Sequence, residues 1–211
     1  MNNSLQNKII SNYLFYYRDF IWRHNVTPYG IMIAEFMLQR TKADQVEPVY
    51  KKFLKQYPTI LHLAKAKGKS VAKYTNSLGL HGRYKKFLAA SRYIIKELNG
   101  EFPKTQKEML QIPGVGDYVA GAVLAVCNNS ADYVIDSNIA RFINRYYGLG
   151  LTGEIRRKKI IIEKAKKLFK TKNQRDLLFA LLDYTALVCK PIKPDCEKCI
   201  FKKCKASCSK S

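Results

Sequence analysis

The sequence predicts an all-α protein, on two patterns and one absence. Apolar residues recur at helical spacing in one segment after another, and Pro or Gly steps separate those segments. The only stretch that looks extended, Tyr133–Ile135, is too short to build a sheet. In chain order the helical segments are 5–19, 29–40, 43–56, 59–65, 69–76, 83–98 and 105–111. Breaks fall at Thr27-Pro28, Tyr57-Pro58, Leu78-Gly79, Asn99-Gly100 and Pro113-Gly114. Beyond the last of these, Tyr118–Val126, Asn138–Tyr147, 155–170 and 174–188 continue as helices.

At 211 residues the chain has room for one large domain or two small ones around a real core. A hydrophobic content of 47% argues against disorder, and seven prolines leave room for long helices. No run of 18 apolar residues occurs and the start, MNNSLQNKII, is polar, so a soluble, cytoplasmic, monomeric protein without membrane partners is expected. The 38 Lys+Arg exceed the 16 Asp+Glu for a net charge of +22, and the lysines are spread along the chain. Such a surface suits a polyanion, most simply nucleic acid. The competing explanation is a lysine-rich proteome that places Lys on any wet face, which does not explain so few acids.

One stretch has no lysine at all, from Met109 to Arg157, and it contains QIPGVGDYVAG. Pro113-Gly114-Val115-Gly116 joins a short helix to a longer one starting near Asp117. Glycine lets another molecule approach the main chain, and a helix start offers N–H groups and a positive dipole end to an anion. A phosphate can therefore be held by backbone, without lysine. An ordinary interhelical turn is the alternative reading.

Two acids and one hydroxyl stand out along the chain. Glu35 lies in IMIAEFMLQ among apolar neighbours, and desolvation of that kind can keep a carboxyl protonated near neutral pH. It could equally sit on the one wet face of its helix. Asp136, in VIDSN, stands at a helix start, where an aspartate commonly caps. Helix amides there would keep it ionised, so capping and catalysis are compatible. Tyr118 is either a core residue or a site residue.

Six cysteines are present, five of them between Cys189 and Cys208. Without a signal peptide, clustered thiols read as metal ligands. The order Cys189-x6-Cys196-x2-Cys199-x4-Cys204 suits zinc or an iron–sulfur cluster, and spacing does not separate the two. Cys127 stands alone in an apolar helix and reads as core.

From Tyr13 to Cys204 the chain resembles the helix-hairpin-helix DNA glycosylase superfamily, in its endonuclease III and MutY branch. The resemblance rests on FIWRHNVTPYGIMIAEFMLQRT, SLGLHGRYKKF, QIPGVGDYVAGAV, VIDSNIARFINR and LLDYTALVCKPIKPDCEKC together. It implies a six-helix barrel domain with the hairpin, residues 21–130, and a second helical domain from residues 1–20 and 131–211. It implies duplex DNA with a mismatched base as partner, held at Gly114, Val115 and Gly116. Asp136 and Glu35 become the catalytic pair, one ionised against a sugar cation and one delivering a proton, with Asn138 beside them. Bifunctional members carry lysine where Tyr118 stands, and a phenol cannot form an imine with a sugar aldehyde, so a monofunctional enzyme is implied.

Gln39, Arg40 and Thr41 match the loop that probes the gap left by an extruded base. MutY enzymes tend to have Gln-Gln-Thr there and the Mig-type thymine glycosylases Arg-Arg-Thr, so Arg40 points to the latter. A surface arginine on phosphate is its plainer role. Phe179 and Asp183 fall where the family contacts the flipped base, with helix packing as the alternative. The cysteines imply a [4Fe-4S] cluster on Cys189, Cys196, Cys199 and Cys204, with Cys208 as a second option because the family's last interval is one residue longer. MutY enzymes usually carry a further domain after the cysteines, which nothing here could form. With Arg40, this favours thymine or uracil opposite guanine over adenine opposite guanine or 8-oxoguanine. A catalytically silent DNA-binding module is the reading from another class, and it would need neither carboxylate.

Overall fold

The computed structural model describes residues 5–201 and 204–205, and among these there are helices and no strand. The chain opens on α1 (Leu5–Ser11), shorter than the predicted segment. Asn12 explains the stop: its side-chain amide donates to the Lys8 carbonyl at 2.9 Å, competing with the next backbone bond. Tyr13–Phe15 then form a single 3₁₀ turn.

Seven helices follow within one compact unit, Asp19–Ser130. They are α2 (Pro28–Leu38), α3 (Ala43–Gln56), α4 (Ile60–Ala64), α5 (Gly68–Ser77), α6 (Tyr84–Glu97), α7 (Gln106–Met109) and α8 (Asp117–Asn128). The Pro and Gly breaks fall where the sequence places them. Thr27 caps α2 by accepting from Gly30 N at 3.0 Å, and Pro28 supplies a preset first turn. Both α2 and α8 are buried almost all round, Tyr29–Met37 in one and Val119–Val126 in the other, and they pack on each other. A helix without a wet face belongs at the centre, and these two form it. Around them α3 packs on α2, α4 and α5 on α6, and α7 on α8. Phe36, Phe53 and Phe87, from α2, α3 and α6, meet edge to face in the core. Each buried ring contributes about 1.5–3 kcal/mol.

The second unit comprises Met1–Arg18 and Ala131–Ser211. Its helices are α1, α9 (Ser137–Tyr147), α10 (Lys159–Phe169) and α11 (Gln174–Leu187). Here α11 packs on α1 and α9, and α10 on α9 and α1. The predicted segment 155–170 starts late, at Lys159, because Glu154 accepts from both the backbone N and the Nε of Arg156 and holds a turn. A buried glutamine locks the unit: Gln174 donates to the carbonyls of Ala131 and Phe169 and accepts from Ala131 N. No helix among the described residues is long and apolar enough to cross a membrane.

Candidate active site and cysteine cluster

In the first unit the hairpin runs from α7 through Pro113–Gly116 into α8. Ile112 and Val115 are buried and closed by a Val115 N to Ile112 O bond of 3.0 Å, which anchors the turn from below. Gly114 has φ +81, a conformation that favours glycine. Gly116, the N-cap of α8, is extended, and no side chain caps that helix start. Gly114 and Gly116 are both exposed. The turn has no lysine of its own, yet one from α6 lies on it: a Cβ added at Gly114 would sit 2.4 Å from Lys86 Cγ.

Glu35 is 7% exposed, in the middle of α2. It occupies the buried face, not a wet one. Tyr118, in the first turn of α8, is half-buried and not a core residue. The end of α2 runs into Gln39–Arg40–Thr41. Arg40 is exposed at φ +66, an uncommon backbone state for a non-glycine residue and one found at functional turns. Thr41 Oγ1 is buried with no hydrogen-bond partner among the described residues. Gln39 is held from α6 and the residue before it: its Oε1 accepts from Arg83 Nη1 at 3.4 Å and Lys86 Nζ at 3.3 Å.

In the second unit Asp136 caps α9, accepting from Ile139 N at 2.7 Å through one oxygen and from Asn138 Nδ2 at 2.7 Å through the other. The sequence alone offers those helix amides as the groups that keep the carboxylate ionised. The structure adds an opposing effect: burial pushes the carboxyl up, and the bonds from Ile139 and Asn138 and the charge of Arg141 oppose the rise only in part. The residue retains some contact with solvent.

Asn138 is in turn positioned by Arg141, a residue sequence reasoning missed, whose Nη1 donates to Asn138 Oδ1 at 2.9 Å. The same guanidinium donates to the carbonyls of Thr185 and Cys189 at the end of α11. One continuous path of hydrogen bonds thus joins Asp136 to the backbone of the first cysteine. The signal was available, since Arg141 follows Asn138 by one helical turn in VIDSNIAR.

Phe179 and Asp183 behave differently. Asp183 is fully buried, with both oxygens taken by Arg18, from Nε at 2.7 Å and backbone N at 3.0 Å. Phe179 is 7% exposed. For Asp183 this favours the packing alternative over contact with a base.

Cys189, Cys196, Cys199 and Cys204 line a single cavity, walled by Phe142, Tyr146, Tyr184 and Phe201. None of the four is in a disulfide. Several donors face the sulfurs: Arg145 Nη1 lies 3.6 Å from Cys189 Sγ, Phe201 N lies 3.4 Å from Cys199 Sγ, and the Tyr184 hydroxyl is 2.9 Å from Cys199 Sγ. Arg145 also holds the carbonyls of Lys190 and Pro191. Among the described residues no three His, Cys, Asp or Glu side chains are gathered closely enough to hold a metal ion. Cys208 lies outside the described residues. Cys127, in α8, is half-buried.

Residues 33–171 match the family model described as HhH-GPD superfamily base excision DNA repair protein. A thymine/uracil-DNA glycosylase of Methanothermobacter thermautotrophicus is 35% identical over 86% of this chain and 83% of its own. An adenine DNA glycosylase of Buchnera aphidicola is 33% identical over 88% of this chain, which spans only 53% of that relative's length. Among solved structures, a thermostable thymine-DNA glycosylase superposes with a TM-score of 0.85 at 33% identity, covering 92% of this chain and 90% of the other.

Proposed function

The chain belongs to the HhH-GPD superfamily of base excision DNA repair proteins, and we propose that within it the protein is a monofunctional mismatch glycosylase for thymine or uracil opposite guanine. That it is a DNA N-glycosylase with DNA as its partner follows from the family and from glycosylases of like sequence. The choice of base is carried by one observation, the 35% identity to a thymine/uracil-DNA glycosylase along most of both chains.

In this reading the hairpin amides at the start of α8 hold a phosphate and Gln39–Arg40–Thr41 fills the gap left by the extruded base. Glu35 delivers a proton to the departing base or positions the attacking water. Asp136, ionised and oriented by Asn138, stabilises the positive charge that develops on the sugar. The penalty of burying that charge is what makes it effective, since a carboxylate in a poorly solvated place interacts strongly with a neighbouring cation. Tyr118 supports hydrolysis without strand cleavage, because a phenol cannot form the imine that elimination requires.

The four thiols, with cationic and amide donors facing them, fit a [4Fe-4S] cluster held by Cys189, Cys196, Cys199 and Cys204. When bound, such a group supplies four sulfur–iron bonds that cross-link the segment after α11. A second reading, adenine opposite guanine or 8-oxoguanine, is favoured by the 33% identity to an adenine DNA glycosylase. End-labelled duplexes with T·G, U·G, A·G and A·8-oxoG, treated with hot alkali after incubation, decide between the two. Breaks at thymine and uracil are expected; breaks at adenine alone would overturn the reading.

A further inference from the structure

The most unusual arrangement outside the catalytic pair is the pair of cations on Gln39. Lys86 is half-buried, and its stem lies along Gly114 of the hairpin. Its Nζ stands 4.3 Å from the centre of the Phe36 ring and 3.3 Å from Gln39 Oε1. Arg83 donates through one nitrogen to both the backbone carbonyl and Oε1 of Gln39. No carboxylate pairs with Lys86 among the described residues. Burial, and then Arg83, lower Lys86 to about 8, so it keeps its proton at pH 7.

A primary amide can be turned either way, and its surroundings decide which way it points. Here two cationic donors meet the same end of Gln39, and neither can accept a hydrogen bond. Turned over, the amide would set its own N–H groups against both cations. The oxygen is therefore committed inward, and the Nε2–H₂ group donates to no described residue and is not buried. What Gln39 offers outward is a donor only.

We propose that Lys86 and Arg83 are positioning residues that fix Gln39 as a hydrogen-bond donor, and that this donor reads the carbonyl oxygen at C6 of the purine left without its partner. The inference rests on reading Gln39–Thr41 as the gap-filling turn. It adds that opposite-base choice is set by amide orientation: guanine and hypoxanthine present an acceptor at C6, adenine a donor, and 2-aminopurine only hydrogen. It also ties two functions together, since the hairpin that holds the phosphate is the surface on which the Lys86 stem rests.

The test uses binding to duplexes carrying a tetrahydrofuran abasic analogue, so that no base pair has to be broken. Guanine, hypoxanthine or 2-aminopurine is placed opposite, and a fully paired duplex serves as reference. The wild type should bind the guanine and hypoxanthine duplexes alike and the 2-aminopurine duplex about five- to ten-fold more weakly, the effect of one lost hydrogen bond. In Arg83→Met/Lys86→Met that ratio should collapse towards one while preference for the abasic over the paired duplex persists. Gln39→Glu, which keeps both cations satisfied but cannot donate, should lose the ratio as well, and Lys86→Arg should keep it. An unchanged ratio in the folded double variant or in Gln39→Glu overturns the proposal, as does a wild-type ratio near one. A wild type that binds abasic and paired duplexes equally would instead refute the gap-filling role itself.

Discussion

Two alanine substitutions in the hairpin separate what the backbone needs from what DNA needs. Gly114 has φ +81, and an added Cβ would lie 2.4 Å from Cγ and 2.9 Å from Cε of Lys86. Left-handed backbone costs a non-glycine residue about 1–2 kcal/mol, and displacing the lysine stem adds to it. For a chain of this size each kcal/mol lowers Tm by about 2–4 °C, so Gly114→Ala should melt roughly 3–8 °C early. Gly116 is extended, with φ −105 and ψ 176, and a Cβ there would meet no atom within 4 Å. The gain from a stiffer unfolded chain and the loss of a better N-cap residue nearly cancel, so Gly116→Ala should leave stability within about 0.5 kcal/mol. The new methyl would nonetheless stand between the α8 amides and a phosphate. Losing that charge-assisted contact is worth about 1.5–3 kcal/mol, or roughly ten- to a hundred-fold in Kd. Titrations of a labelled duplex by fluorescence anisotropy at several salt concentrations make the comparison. Because no cation is removed, the slope of log K against log salt should match that of the wild type. Wild-type affinity in folded Gly116→Ala would remove the hairpin from the DNA contact, and a flattened slope would mean that the substitution had disturbed basic side chains instead.

Other expectations follow from the second unit and from Tyr118. Arg141→Met strips donors from the Thr185 and Cys189 carbonyls and frees Asn138. Two part-buried acceptors left without these donors cost about 1 kcal/mol each, so the variant should melt roughly 4 °C lower, hold less iron per chain and release base more slowly; full iron content with unchanged activity would break the proposed link. Because burial raises the Asp136 carboxyl and the ionised form is the active one, single-turnover base release should fall on acidification at a pH above the ordinary carboxylate range, and a limb at pH 4 or below would contradict this. Borohydride should trap no covalent complex between wild type and its substrate, whereas Tyr118→Lys should permit trapping; efficient trapping by the wild type would mean that another amine attacks the sugar.

Much of this was legible because the relevant signals are local. Breaks at Pro and Gly set the helix boundaries in the first unit, and the apolar surroundings of Glu35 forecast its burial. The cap at Asp136 could be read from VIDSNI, since a cap depends on four consecutive residues. Legibility failed where a side chain diverted the backbone, as Asn12 does after α1 and Glu154 does before α10. It failed again where opposing terms compete, since the bonds to Asp136 are visible in sequence but the protein packed around it is not. Contacts distant in sequence were out of reach: Lys86 meets Gln39 across 47 residues, Arg18 meets Asp183 across 165, and neither pairing leaves a periodic trace.

The central claim is that an ionised Asp136 lowers the barrier to base release, and Asp136→Asn tests it most directly. The amide retains an oxygen for Ile139 N, gives up the acceptor that Asn138 Nδ2 uses, and removes a charge whose burial is unfavourable. A raised carboxyl pKa means that the folded state resists ionisation, so its stability contribution is full below the unfolded pKa and is lost as pH rises through the folded one. At neutral pH that relief offsets the lost Asn138 bond, so the variant should melt within about 4 °C of the wild type and bind its duplex as well. Single-turnover release of thymine from T·G should nevertheless fall at least about 100-fold, the scale of removing one electrostatic contact to a transition state. Release within a few-fold of wild type by a folded, DNA-binding Asp136→Asn would show that the carboxylate serves only as a helix cap.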